Sequence, residues 1–443
     1  MRRTRHIQNG AFTLISLLMI LSCKQVRQPQ LGCGDISRVT GRMSAIMIHD
    51  VTNPPLAARF FAYTCLAGYE IVAQNDTAVK SMRVKLNGYP EIQKPDGLGG
   101  YDYRLSAILC MIETAAKLQP SGKLMKVEQE NFIDSCKNIG FSNSVIDSSL
   151  HYAQVISKQI LKYVKADKYN RISNYTRYSP LKREGSWAPT PPVYMAAVEP
   201  YFNTIRPFTL DSASQFLPEP PVPFSTDKNS LFYKYTMQVY KAGGTELTPD
   251  HRTIAGFWDC NPFAVENNGH MLIGIKKISP GAHWMGITAI ACSKAGLSFS
   301  KTMQVNTAVA IALTDAFICC WDDKYRTNRI RPETAIRKYI DPNWRPLLQT
   351  PPFPEYISGH SVISSAAAVI LTYYFGDNFH YTDNVEMKFG LKPRKYQSFL
   401  QASAEATISR FWGGIHFKDA IEKGQIQGIA VGKHVLSRIN AKN

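Results

Sequence analysis

Three short segments in the last third of the chain hold residues whose types and spacing could do chemistry. In residues 321–332, Lys324 and Arg331 are seven apart, nearly two helical turns. On a helix both cations share one face, about 10 Å apart along the axis, and their long side chains could converge on one anion. Pro332 disfavours helical geometry at Arg331, so the pattern predicts a helix that ends there and frees the arginine near a loop. In residues 351–361, prolines set an extended approach to Ser358, a natural N-cap. Gly359 and His360 then fall where unpaired backbone N–H groups favour an anion, with His360 beside it as acid or base. In residues 409–419, Arg410 and His416 are six apart and would sit on different faces of one helix, but Gly413-Gly414 can break it and bring both to one site. Asp419, three residues past His416, shares its helical face and is the expected partner holding the imidazole ring. Taken singly, the first two segments are better described as ordinary features, a basic helix end and a capped helix start, and the third as readily as a helix–turn–helix.

The elements that must position these groups are helical. Apolar residues recur at three- and four-residue steps over 57–72, 106–118, 144–164, 230–241 and 305–321, and strand signals are sparse. Residues 305–320 contain Asn306, Thr307, Thr314 and Asp315, which marks a buried core helix rather than a membrane span. Pro-rich stretches at 187–193 and 217–224 read as extended surface connections. The expected fold class is therefore mostly α, with Pro-rich extended loops. Gly428 to Lys433 falls one residue short of a phosphate-binding loop.

Taken together, K-x6-R-P, S-G-H and S-R-x5-H, in this order over about one hundred residues, resemble the superfamily of vanadium-dependent haloperoxidases and type 2 phosphatidic acid phosphatases (PAP2). The likeness leans to the chloroperoxidase side: Trp321 stands three residues before Lys324 and Phe353 seven before His360, as in that group's halide pocket. Phe257-Trp258-Asp259 and the stretch from Pro280 to Trp284, which contains His283, also look like haloperoxidase sequence. The motif core spans 321–419, and the implied architecture is a single helical-bundle domain over 43–443. Two positions depart from the family pattern: Ile357 replaces the usual proline before S-G-H, and Asp419 follows His416 after two intervening residues rather than three.

The resemblance implies an oxyanion cage of Lys324, Arg331, Ser358, Gly359 and Arg410, with His416 binding the central atom and His360 moving a proton. Trp321, Phe353 and His283 would line the substrate pocket. As a haloperoxidase, the chain would hold vanadate and use hydrogen peroxide to oxidise a halide, with Lys324 supplying polarising charge. As a periplasmic PAP2-type acid phosphatase, it would need no cofactor. His416 would attack a phosphate monoester to give a phosphohistidine, and His360 would protonate the leaving alcohol. A non-catalytic oxyanion binder is the third reading.

Composition and the N-terminus set the context. The 443 residues carry 51 Lys and Arg against 34 Asp and Glu and are 44% hydrophobic, which excludes a disordered chain. No run of five or more basic residues and no nucleic-acid motif accompanies the net +17, so nucleic acid is not an expected partner. Arg2, Arg3 and Arg5, an apolar run over 11–21 and Ser22-Cys23 have the order of a secretory signal. The ending resembles a bacterial lipobox, so residues 1–22 are expected to be removed, Cys23 lipidated, and residues 23–42 to form a tether. The chain would then be exported and held on a bacterial membrane through the lipid alone, facing the periplasm or exterior. Losing residues 1–22 leaves 48 basic and 34 acidic residues, net +14, so the basic character belongs to the folded part. Eight further cysteines show no C-x-x-C spacing and predict no pairing.

Overall fold

The structure, a computed structural model, describes residues 29–267 and 270–440. The signal segment and Cys23 lie outside the described residues. Thirteen α-helices are described: α1 Cys33–His49, α2 Pro54–Ala73, α3 Tyr103–Leu118, α4 Lys123–Asn138, α5 Asn143–Lys165, α6 Leu231–Ala242, α7 Pro249–Phe257, α8 Pro280–Lys294, α9 Phe299–Thr327, α10 Pro332–Tyr339, α11 Gly359–Phe375, α12 Phe399–Trp412 and α13 Lys418–Ile439. The described strands form two small antiparallel hairpins, β1 Val265–Asn267 with β2 Leu272–Gly274, and β3 Tyr381–Asp383 with β4 Arg394–Tyr396. The mostly helical expectation holds, and residues 187–193 and 217–224 lie outside regular helices and strands.

One expectation fails. Residues 33–42 belong not to a tether but to α1, which buries Ile36, Val39 and Met43 and packs on α8. The polar residues of this segment mark the outer face of an amphipathic helix, which composition alone does not separate from a linker.

The 29-residue helix α9 is the axis of the molecule. It packs against α2, α8, α11 and α13, and from Val305 to Trp321 every residue is buried. Helices α2 and α9 are each long and apolar enough to cross a membrane, and both are buried in the protein core. Burying Asp315 in α9 is offset by three donors, the backbone N–H groups of Phe208 and Thr209 and the Thr209 hydroxyl. Ser298 caps the start of α9 by accepting from Lys301 N, and Asn328, at φ +50°, ends it.

Helices α11 and α13 approach unusually closely. Gly424, Gly428 and Gly432, spaced four apart on α13, lie against α11; a Cβ on Gly428 would stand 2.2 Å from the Val362 carbonyl oxygen. The glycines that nearly spell a phosphate-binding loop thus serve helix contact. This contact fixes α11, whose N-terminus carries Gly359 and His360, against α13, which follows His416.

Replacing Gly428 by alanine forces the two backbones apart and is expected to cost about 1–3 kcal/mol, read as a lower midpoint in denaturant. Gly256→Ala in α7, with no atom within 4 Å of the added Cβ, should instead stabilise by up to about 1 kcal/mol. Equal midpoints for the two variants would rule out the close-contact account.

Candidate active site

The three segments meet at one buried cavity. Lys324 comes from the last turn of α9; Arg331 is the N-cap of α10; Ser358 caps α11 by accepting from Ser361 N at 3.4 Å. Arg410 comes from the last turn of α12, and His416 from the short connection into α13. The helix carrying Lys324 ends at Thr327, four residues earlier than the spacing predicted, so the two cations converge through a turn rather than along one helical face. The double glycine breaks the helix as expected, with Gly414 at φ +76°.

All three cations are 0% exposed. Lys324 Nζ donates to the carbonyls of Pro354, Glu355 and Ile357 at 3.0, 3.1 and 2.5 Å, which fixes the loop leading to Ser358. Burial lowers its pKa to about 8. Arg331 Nε donates to Phe353 O and Nη1 to Ile415 O, both at 2.9 Å, while Nη2 has no partner. Burial lowers this guanidinium to about 10. Arg410 Nη1 donates to Trp258 O at 2.9 Å, and its Nε and Nη2 are unpartnered. Its pKa is also lowered by burial, against the opposing pull of the Asp259 carboxylate.

His416 and His360 are the groups with chemical freedom. The pKa of each is pushed well below the ordinary histidine value, first by burial and then by nearby cations, so both are neutral. His416 Nδ1 lies 2.9 Å from Glu355 Oε1. That carboxylate keeps the proton on Nδ1 and leaves the lone pair on Nε2, which accepts from Arg331 Nη1 at 3.2 Å. His360 Nε2 is buried without a partner.

Asp419 does not hold His416. Its Oδ1 accepts from Arg329 Nη1 at 2.7 Å and from Ala420 N at 2.8 Å. His416 lies outside the helix that begins at Lys418, so the shared-face argument does not apply to it. The ring instead meets Glu355, which the sequence reading left unassigned; Glu355 also accepts from Phe417 N at 3.0 Å and pairs with Arg329 at 3.3 Å. Burial raises the Glu355 carboxyl to about 7, with Arg329 opposing.

Trp321 and Phe353 pack together at 5.0 Å between ring centroids, with Lys324 Nζ 5.0 Å from the Phe353 ring. They line the cavity with Cys260, Phe263, His360 and Arg410. His283 is fully buried behind Cys260 and is not among the lining residues. Only the neighbourhood of Cys260 is shared, so its assignment to the substrate pocket is corrected.

Residues 304–442 match the family described as the VCPO second helical-bundle domain. The chain is similar to a bacterial vanadium-dependent iodoperoxidase of known structure at 40% identity, covering 93% of this chain and 97% of that one, with a TM-score of 0.88. A holo-type bacterial vanadium-dependent chloroperoxidase shares the fold at 14% identity and TM-score 0.67 over 88% and 92% of the two chains. The apo-type form matches at 15% and 0.64, over 87% and 94%. No curated protein sequence matches. The chain belongs to the vanadium-dependent haloperoxidases. It is an enzyme of that class, with vanadate as its cofactor.

The residues present fit such an anion. Arg331 Nη2, Arg410 Nε and Nη2 and His360 Nε2 are buried donors or acceptors without protein partners, clustered where three cations lack a full complement of negative charge. A Cβ at Gly359 would stand 3.7 Å from Trp321 and 4.0 Å from Lys324 Cε, so this glycine keeps the backbone open to the cavity.

Two predictions follow from the protonation and contacts at this site. Glu355→Gln should weaken oxyanion binding about 10–100-fold by loosening the hold on His416, whereas Asp419→Asn should change it only a few-fold; calorimetry with vanadate would show the order, and a reversed order would return the orienting role to Asp419. Because Lys324 is charged only below a pKa of about 8, affinity for tungstate, an anion that does not itself titrate there, should fall as pH rises through that value. Lys324→Met should flatten this step, and a wild-type affinity constant from pH 6 to 10 would refute it.

Proposed function

We propose that this enzyme oxidises iodide in preference to bromide and chloride, at an oxyanion site built from Lys324, Arg331, Ser358, Gly359, Arg410 and His416. The class activity joins hydrogen peroxide, a halide ion and a proton into hypohalous acid and water. The observation that carries the site assignment is the set of unpartnered guanidinium and imidazole nitrogens around one buried cavity. The iodide preference is supported by the 40% identity, over nearly the whole of both chains, to an iodoperoxidase.

Vanadate, when bound, activates peroxide for two-electron oxidation of the halide. Arg331 and Arg410 present their free N–H groups to the oxyanion, and the Ser358 hydroxyl and Gly359 N–H complete the set of donors. His416 offers Nε2 to the central atom, held in the right tautomer by Glu355. His360, neutral and with its Nε2 unpartnered, would take the proton that peroxide loses on entering the site and return it to the departing oxygen. Lys324 supplies positive charge beside the anion while its carbonyl contacts hold the loop. Trp321 and Phe353 exclude water from this wall.

The basic start, the apolar run and Ser22-Cys23 support export and lipid anchoring at Cys23. Reactive hypohalous acid would then be made outside the cytoplasm.

The purified protein, stripped of metal, should form triiodide from iodide and peroxide only on vanadate addition, with phenol red bromination and monochlorodimedone chlorination far slower. His416→Ala should abolish all three. Bromide oxidised as fast as iodide would overturn the halide preference. Hydrolysis of p-nitrophenyl phosphate that runs without vanadate and is blocked by it would establish the phosphatase reading instead.

A further inference from the structure

A second cluster of donor atoms lies beside the cavity and takes no part in the reading above. Cys260 stands on the cavity wall, His283 on α8 behind it, and Asp383 and Glu386 close the cluster from β3 and the turn that follows. Their exposures are 2%, 0%, 0% and 6%. His283 stacks on Trp258 with ring centroids 4.7 Å apart, which fixes its plane. Its Nδ1 lies 3.3 Å from Cys260 Sγ and 3.2 Å from Glu386 Oε1, and those two atoms are 3.8 Å apart. A thiol, an imidazole nitrogen and a carboxylate oxygen thus form a nearly equilateral triangle.

That triangle has the dimensions of a metal site. Bonds of about 2.3 Å to sulfur and about 2.0–2.1 Å to nitrogen and oxygen, opened to the tetrahedral angle, separate the donors by roughly 3.3–3.6 Å. A second observation points the same way. His283 Nε2 is 2.8 Å from Asp383 Oδ2, the carboxylate–histidine arrangement that orients metal-binding imidazoles and fixes their tautomer. We propose that Cys260, His283 and Glu386 bind a divalent transition metal of the zinc class, with Asp383 positioning the histidine. The thiolate and imidazole donors select such an ion over magnesium or calcium.

Metal binding requires a deprotonated Cys260 thiol and an unprotonated His283 Nδ1, with the remaining Nε2–H donating to Asp383 Oδ2. The ion would fasten the segment from Trp258 to Cys260, whose carbonyl and carboxylate groups hold Arg410. It acts at a site distinct from that of vanadate.

The test uses the full-length protein, produced with zinc and freed of loose ions by gel filtration, then the same protein loaded with cobalt(II). Elemental analysis should find about one equivalent of zinc per chain. The cobalt form should show a thiolate-to-metal charge-transfer band in the near ultraviolet together with intense visible bands of a tetrahedral site. Cys260→Ser should lose the charge-transfer band, Glu386→Gln should keep it while shifting the visible bands, and His416→Ala should retain both metal and spectrum. Substoichiometric zinc in the wild type, absence of the thiolate band, or its persistence in Cys260→Ser would each overturn the proposal; the wild-type measurements decide the matter even if a variant does not fold.

Discussion

Three fully buried cations converge on one small cavity, Arg410 in its wall and Lys324 and Arg331 directly behind Phe353 and His416, and the chain supplies too little negative charge to balance them. Removing each from water costs on the order of several kcal/mol even after relaxation, and the depressed pKa values of Lys324 and Arg331 register that cost. The protein offsets it only in part. Backbone carbonyls take three donors of Lys324 and two of Arg331; Glu355 and Asp259 contribute opposing charge from behind. What is left over is a set of guanidinium N–H groups with nothing to donate to, and a multiply charged oxyanion is the ligand that satisfies them.

Such a site demands a rigid frame, because a cage of like charges would relax outward if its walls could move. The frame comes from α9, α11 and α13, packed with residues small enough for backbones to approach. Lys324 closes the arrangement on itself, since the charge that attracts the anion also pins the loop that presents Ser358 and Gly359. Binding and positioning therefore rest on the same ammonium group. An arginine there would place a planar fork where three carbonyls converge on a point charge.

Much of the site was legible in the sequence because its ligands sit at element boundaries with recognisable chemistry. Ser358 as an N-cap, the break at Gly413-Gly414 and the type and order of the cationic residues all depend on local rules. What was not legible depends on distance. His416 and Glu355 are 61 residues apart and meet only because two loops cross, so a local spacing argument chose Asp419. Residues 33–42, the first part of α1, read as a linker because their apolar stripe is sparse until α8 covers it. The Cys260, His283 and Glu386 cluster draws on three separate elements and has no spacing signature at all.

The electrostatics also settle why two histidines can work in so positive a place. Burial first, and then the surrounding cations, push the pKa of each well below the ordinary histidine value, so both are neutral. Neutrality alone would leave either ring nitrogen free to carry the remaining proton. Glu355 removes that freedom at His416 by accepting from Nδ1, and the lone pair then falls on Nε2, beside Arg331 and facing the anion. His360 has no such carboxylate, and its unpartnered Nε2 is left to exchange protons with whatever enters. One carboxylate, raised to a pKa of about 7 by its own burial, thus separates a fixed ligand from a mobile base within a single field of positive charge.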